Sequence, residues 1–322
     1  MKFLTLDTDS FRYGEAEQLA PLVRRVIADN PSKFTYRGTG TYIVGLRDVV
    51  VIDPGPKLDS HRDALAAALA GSSVRAILIT HCHADHSPLA AWLAAETGAP
   101  TIAFGPHGTD AWDIGEDPVR DDPASDEESE ASEPVIEEST DTDFVPDEAV
   151  ATGEEVVSGN GWTMTAMHTP GHTSNHMCFA LDDGTTRTIF TGDHVMGWST
   201  TVVSPPDGDM SAYLESLRMV AGRNDDVAIP THGSPIPNPT EFVNDLIEHR
   251  LQREAQVLEA VRSGLDTIPA MVEVLYAHVR KELHSPARRS VLAHLVKLVD
   301  EQVVVLAGEE PRPRLDSRFL GD

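Results

Sequence analysis

VRAILITHCHADH, residues 74–86, decides how this chain is read. Val74 to Ile79 is an apolar run of strand length, and it delivers His81, His83, Asp85 and His86 just past its end. Imidazole nitrogens and carboxylate oxygens are the ligands that borderline divalent metals prefer. Two residues apart in extended chain, His81 and His83 project to the same side, while Asp85 and His86 follow a turn later and can serve a second ion a few ångströms away. An isolated HxH pair says little. The complete HxHxDH string, with four ligand-type residues in six, favours a metal site over a solvated polar loop.

Working outward, the β-branched stretches 41–45 and 49–52 flank Leu46-Arg47-Asp48 and read as a hairpin closed by Asp53-Pro54-Gly55-Pro56. Residues 60–70 form an alanine-rich amphipathic helix ended by Gly71. After the cluster, Ser87 offers an N-cap oxygen, Pro88 suits the first helical position, and 89–97 continues as helix to Gly98. Further strands are expected at 101–104, 162–167, 177–181, 188–190 and 227–229, with a helix from Asp209 to about 220. Beyond the breaker-rich 235–239 the character changes to a long helix over 241–262. Helices at 270–281 and 286–301 follow, the second capped by Ser285-Pro286, and then Val303-Val304-Val305. That order suits a winged helix-turn-helix. The expected division is a catalytic domain over 1–238, a linking helix over 239–265, a winged-helix-like domain over 266–310 and a tail over 311–322.

Composition narrows the function classes. The chain has 322 residues, 40% of them apolar, and a net charge of −27. Residues 110–155 hold 19 Asp or Glu against the single Arg120, so −18 of that charge belongs to one stretch and −9 to the rest. The acidic insertion, about 106–148, reads at its centre as a flexible surface loop, because it has too little apolar surface to offset chain entropy. An acidic bulk disfavours passive attraction to nucleic acid or anionic membrane. No apolar run is long enough for a membrane span, the N-terminus lacks a signal-peptide pattern, and a cytoplasmic location is expected. Cys82 and Cys178 are too few for a disulfide framework and read as free thiols.

Three further motifs complete the pattern: TPGHT with His172, FTGDH with Asp193, and PTHG with His232. Together with THCHADH they resemble the metallo-beta-lactamase superfamily over roughly residues 35–235. GHTSNHMCF, TGDHVMGWSTTVV, HRLQREAQVL and the C-terminal unit resemble more closely the group of beta-lactamase-like protein 2 and its bacterial relatives. The resemblance implies an α/β fold, the four-layer αβ/βα sandwich, with a small C-terminal winged-helix domain and metals at one sandwich edge. It also implies the ligand sets: His81, His83 and His172 for one ion, Asp85, His86 and His232 for the other, and Asp193 between them. Two divalent ions are expected, zinc first, with manganese or iron as alternatives. Antibiotic-degrading members carry Cys where Asp193 stands, which argues against beta-lactamase activity.

Two cations sharing a water would lower its pKa and hold a bridging hydroxide, with Asp85 orienting it and taking its proton. Esters, thioesters, lactones and phosphodiesters all fit that scheme, so the substrate stays open between a small ester-like molecule and single-stranded RNA, the latter because some family members are endoribonucleases. A DNA-binding regulator on a retired hydrolase fold is a competing class, opposed by the intact ligand set; an iron-dependent oxidoreductase is another. His176 is placed to protonate a leaving group or to support its loop. His194 reads as structural support, and Ser199, Thr200 and Thr201 as loop chemistry or substrate contacts. The winged-helix unit carries Arg280, Lys281, Arg288, Arg289 and Lys297, yet residues 266–322 sum to −1. That is a poor footprint for DNA, and packing or homodimer formation suits it as well.

Overall fold

A computed structural model describes residues 2–6, 10–108, 112–117 and 139–321. The first half builds a sheet from β1 (Ala16–Ala20), β2 (Val23–Ile27), β3 (Gly40–Gly45), β4 (Asp48–Ile52), β5 (Ser73–Leu78), β6 (Thr101–Ala103) and β7 (Glu148–Ala149), in that spatial order. The pairs up to β3–β4 are antiparallel; β4–β5, β5–β6 and β6–β7 are parallel. The first two parallel steps are possible because α1 (Asp59–Ala68) and α2 (Ala90–Thr97) supply the crossovers. The second half builds β8 (Glu155–Gly159), β9 (Trp162–His168), β10 (Met177–Asp182), β11 (Arg187–Gly192), β12 (Val227–Pro230) and β13 (Ile236–Pro237) into a sheet of order β13-β12-β11-β10-β9-β8. Helix α3 (Met210–Gly222) crosses between β11 and β12.

Strand periodicity explains the layering. In β4 and β5, Val50, Ile52, Ala76 and Leu78 face the second sheet and meet Met164, Phe179, Phe190 and Ile229. Their neighbours Val49, Val51 and Ile77 turn the other way, onto Leu65 of α1 and Leu93 of α2. Strands buried on both faces read as continuous apolar runs for this reason. On the far side, Cys178, Ile189 and Ala228 pack against Tyr213, Leu214 and Leu217 of α3 and Leu246 of α4 (Pro239–Arg262). The result is the αβ/βα sandwich, and helix α4 carries the chain out of it.

The C-terminal unit packs α5 (Ile268–Leu275) and α6 (His284–Asp300) on the end of α4 around Val257, Met271, Val291, Leu295 and Phe319. Strand β14 (Val304–Leu306) pairs antiparallel with β15 (Phe319–Gly321), so residues expected as a tail supply the second strand of the wing. Two helix starts differ from the sequence reading. Helix α6 begins at His284, directly continuing a 3-10 turn at Lys281–Leu283, so Ser285 has no cap to make. Helix α2 has Leu89 at its N-cap without a side-chain bond; Ala90 N–H bonds to the Ser87 carbonyl, and the Ser87 hydroxyl donates to Asp141 Oδ2 at 2.7 Å.

The centre of the acidic insertion lies outside the described residues. Its near end joins the C-terminal unit: Trp112 Nε1 donates to the Pro313 carbonyl, Leu315 N–H to the Ile114 carbonyl, and Arg288 pairs with Asp117 at 2.7 Å. Its far end returns to the histidine loop, where Asp141 N–H donates to the Cys82 carbonyl and Ala84 N–H to that of Ser139. Among the described residues no helix is long and apolar enough to cross a membrane.

Candidate metal centre and substrate cavity

Strands β5, β9, β11 and β12 end at the same edge of the sandwich, and the loops leaving them carry the ligand-type residues. Ligand atoms of His81, His83, His172 and Asp193 lie within 4.8 Å of one another, as do those of Asp85, His86 and His232. The Asp193 carboxylate reaches both groups: Oδ2 is 3.8 Å from His172 Nε2, and Oδ1 is 3.4 Å from His232 Nε2 and 3.7 Å from His86 Nε2. Gly192 makes this approach possible. It has φ +51°, and a Cβ there would sit 2.6 Å from His176 Nε2.

Hydrogen bonds from behind set the imidazole tautomers. His172 Nδ1 donates to the Val202 carbonyl at 2.7 Å, His232 Nδ1 to Gly38 at 3.2 Å, and His86 Nδ1 to Asp53 Oδ2 at 2.9 Å. The Thr80 hydroxyl gives its proton to Asp53 Oδ2, so the oxygen accepts from His81 Nδ1 at 3.0 Å. His81 and His172 therefore turn an unprotonated Nε2 inward, with His83 Nδ1 2.9 Å from His81 Nε2 and 3.2 Å from His172 Nε2, while His86 and His232 turn Nε2 toward the Asp85 and Asp193 carboxylates. Lone pairs converging at such distances repel unless a cation lies between them. His86 Nε2 and Asp193 Oδ1 are buried without hydrogen-bond partners in the protein. Buried polar atoms are seldom left so, and the donor set fits divalent metal.

The charges follow the same logic. Burial, reinforced by the neighbouring rings, lowers His81 well below the ordinary imidazole value and His83 to about 3. Burial opposes charge on His232 too, but the Asp193 and Asp85 carboxylates outweigh it and raise the ring to about 10. Asp193 is held well below the usual carboxylate range: burial pulls upward, and His232 and His86 pull down harder. A site so rich in opposed charges is built to exchange protons for a cation.

Sequence reading misses the supports. Asp53 reads as a turn residue, yet it sits at φ +48°, fully buried, accepting from Thr80 N–H, the Thr80 hydroxyl, Thr231 and His86. Thr39 donates to Asp85 Oδ2 at 2.8 Å. The only signal is an acidic residue at the end of a fully apolar strand. Thr201 donates to the carbonyls of Asp193 and His194, and buried Arg250 of α4 donates to the Thr201 carbonyl, so this stretch braces the site. His194 is buried against Tyr213. Cys82 faces the α2 side of the core, where its sulfur accepts from Asn175 Nδ2 at 3.0 Å.

His176 needs correction as a proton donor to a leaving group. It is fully buried behind the cluster, with Nδ1 against Thr169 and Nε2 accepting from Asp193 N–H, so neither nitrogen faces a substrate. The accessible side of the site is a cavity of about 410 Å³ bordered by His83, His172 and Asp193. Apolar walls come from Phe34, Met196, Val202, Pro205 and Pro206, and the winged-helix unit closes the rim with Pro286 and Arg289.

This sandwich, its buried histidine and carboxylate edge and the appended winged helix define a class of hydrolases built around divalent metals. Residues 37–232 match the model of the metallo-beta-lactamase superfamily, and residues 267–311 match that of the beta-lactamase associated winged helix domain. The chain belongs to the metallo-beta-lactamase superfamily. It is 28% identical over 310 residues to lactamase-like protein ptaB of Pestalotiopsis fici, covering 92% of this chain and 83% of that one. It is 30% identical over 300 residues to the atrochrysone carboxyl ACP thioesterase AgnL7 of Paecilomyces divaricatus, covering 88% and 82%. Among solved structures, a beta-lactamase domain protein from Burkholderia ambifaria superposes with TM-score 0.72 at 20% identity, covering 96% and 95%. A metallo-beta-lactamase family protein from Thermus thermophilus gives 0.69 at 20%, covering 95% and 100%. Both share the two-part fold.

Proposed function

We propose that this protein is a dinuclear metal-dependent hydrolase acting on an acyl thioester, with zinc as the first expectation for both ions. The observation that carries the reading is the cavity. It is concave, mostly apolar, of ligand size, and opens onto His83, His172 and Asp193. An acyl chain fits walls made by Phe34, Met196 and the two prolines, whereas extended RNA asks for a basic track that an acidic chain with a near-neutral winged helix does not offer. The relatives named as ACP thioesterases support the same substrate class.

His81, His83 and His172 would hold one ion and Asp85, His86 and His232 the other, with Asp193 between them. The chemistry such ions supply is Lewis acidity toward water and toward an acyl carbonyl. Asp85, oriented by Thr39, takes the proton of the attacking water. The C–S bond breaks, and a carboxylic acid and a thiol are released. Because a thiol has a pKa near 8.5, its thiolate leaves at neutral pH without a dedicated proton donor. That agrees with His176 being turned away from the cavity.

The test couples metal analysis of the purified protein to turnover of acyl-coenzyme A and acyl-N-acetylcysteamine thioesters, aryl esters, lactones, a bis-aryl phosphodiester and single-stranded RNA. Thioester hydrolysis that disappears in His83→Ala is expected. RNA cleavage with thioesters untouched would overturn the reading in favour of a nuclease.

A further inference from the structure

Helix α6 enters the cavity wall by its first two turns, through Pro286 and Arg289. A helix N-terminus already carries partial positive charge and ordinarily attracts acidic side chains. This first turn has none, and Arg288 and Arg289 follow it instead. The two arginines are treated differently. Arg288 is buried and ion-paired to Asp117. Arg289 is exposed, lines the cavity, and has no ion-pair partner among the described residues. Asp207, which lines the same cavity with Asp193, accepts from Ser174 N–H at Oδ1 at 3.2 Å, and its buried Oδ2 lies 3.8 Å from His107 Nδ1 without a hydrogen-bond partner among the described residues. In a chain of net charge −27, a positive charge at this rim without an ion-pair partner among the described residues stands against the overall field. An isolated exposed arginine is commonly just solvated. This one shares a single cavity with His83, His172 and Asp193.

We propose that Arg289 is a specificity residue that binds an anionic group of the substrate while the reacting carbonyl lies at the histidine cluster. The inference rests on the thioester reading and deepens it: the substrate is an acyl thioester bearing a negative charge away from the reacting carbon. A phosphate on the thiol carrier and a carboxylate on the acyl group offer the same chemistry. A guanidinium fork binds either bidentately. The winged-helix unit serves here as a wall of the substrate site.

Titration calorimetry on the metal-loaded full chain compares 4′-phosphopantetheine with pantetheine, which differ only in the phosphate. Kinetics compare glutaryl- with butyryl-N-acetylcysteamine, which differ in the distal carboxylate. The wild type is expected to prefer one anionic member by roughly ten-fold, the usual worth of a charged hydrogen-bonded pair. Arg289→Gln should erase that preference through Kd or KM, and Arg289→Lys should retain part of it. Loss of the phosphate preference assigns the anion to the carrier, and loss of the carboxylate preference assigns it to the acyl group. No anionic preference in the wild type, or a preference that survives Arg289→Gln, overturns the proposal. An Arg289-dependent preference in calorimetry, with no thioester turnover by the wild type, upholds the anion site and overturns the thioester reaction instead.

Discussion

The loop at the end of β5 and the first turns of α6 border one cavity, yet they are built by opposite means. The loop is buried, and nearly every polar atom in it is positioned by a hydrogen bond from behind: Asp53 and Thr80 fix His81 and His86, and Thr39 fixes Asp85. The α6 rim is tied to Asp117 through Arg288 and the Ser285 hydroxyl and leaves the neighbouring Arg289 in solvent. Chemistry requires ligands fixed to fractions of an ångström, whereas selection among substrates requires a surface that can change without disturbing them. In this fold the first task falls to strand ends and the second to an appended unit.

The strongest way to break that division is to remove one ligand. His83→Ala is expected to lower kcat/KM about a thousand-fold or more, roughly 4 kcal/mol of transition-state stabilisation, and to reduce bound metal in step. Kinetics with metal analysis on the same preparation checks it. A rise in KM alone would mean that His83 shapes the cavity and does no chemistry.

The counterpart lies in the winged-helix core. Leu295 is fully buried among Val291, Met271 and Phe319, and Leu295→Ala should destabilise the unit by about 2–5 kcal/mol in urea unfolding. Its kinetic effect should fall on KM, because the wall of the cavity loosens while the ligands stay. A collapse of kcat comparable to that of His83→Ala would show that the two regions are not separable.

A third test concerns the layer behind the histidine loop, where Thr41 donates to the Asp53 carbonyl and Gly55 N–H to that of His86. His61 is 1% exposed, its Nε2 lies 2.8 Å from the Thr41 hydroxyl, and burial lowers its pKa to about 4. The folded state therefore binds its proton less readily than the unfolded chain, where the ring titrates near 6.5. Its contribution is fully present above pH 6.5 and is lost as pH falls through about 4, an effect of order 3 kcal/mol. Denaturant titrations at pH 7, 5.5 and 4.5 should show His61→Asn flattening the acid slope by about one proton. An unchanged slope would assign the acid sensitivity elsewhere.

What was legible in the sequence follows from the range of the interactions involved. The HxHxDH string, the apolar runs of β4 and β5, Gly98 ending α2 and Asp209 capping α3 are local signals, and each was readable within a few residues. The histidines and carboxylates were also readable, because ligand chemistry restricts residue type. Asp53 was not, since its partners Thr80, His86 and Thr231 lie 27, 33 and 178 positions away. Strand β15 was invisible for a similar reason. FLG has no strand signature of its own and pairs because Val304–Leu306 offers an edge. The placement of Arg289 depends on how α6 docks, which no local pattern records.

Ser87 is where local and non-local readings conflict, and it yields the smallest expected effect. Read locally, Ser87-Pro88 caps α2; in the fold the hydroxyl donates to Asp141 Oδ2, tying the far end of the acidic insertion to the histidine loop. The two roles give the same single-mutant loss, near 1 kcal/mol, so Ser87→Ala alone decides nothing. The double-mutant cycle with Asp141→Ala separates them. A helix cap ignores Asp141, and the losses add. A tie is already gone in either single variant, so the double variant loses no more, leaving a coupling energy of about 1 kcal/mol. Coupling should also slow proteolysis of the insertion in the wild type relative to both single variants equally, because the same side-chain bond adds to the backbone bonds that anchor that end to the loop that carries His81, His83, Asp85 and His86. Additive losses would return Ser87 to the helix and leave the insertion anchored by backbone bonds alone.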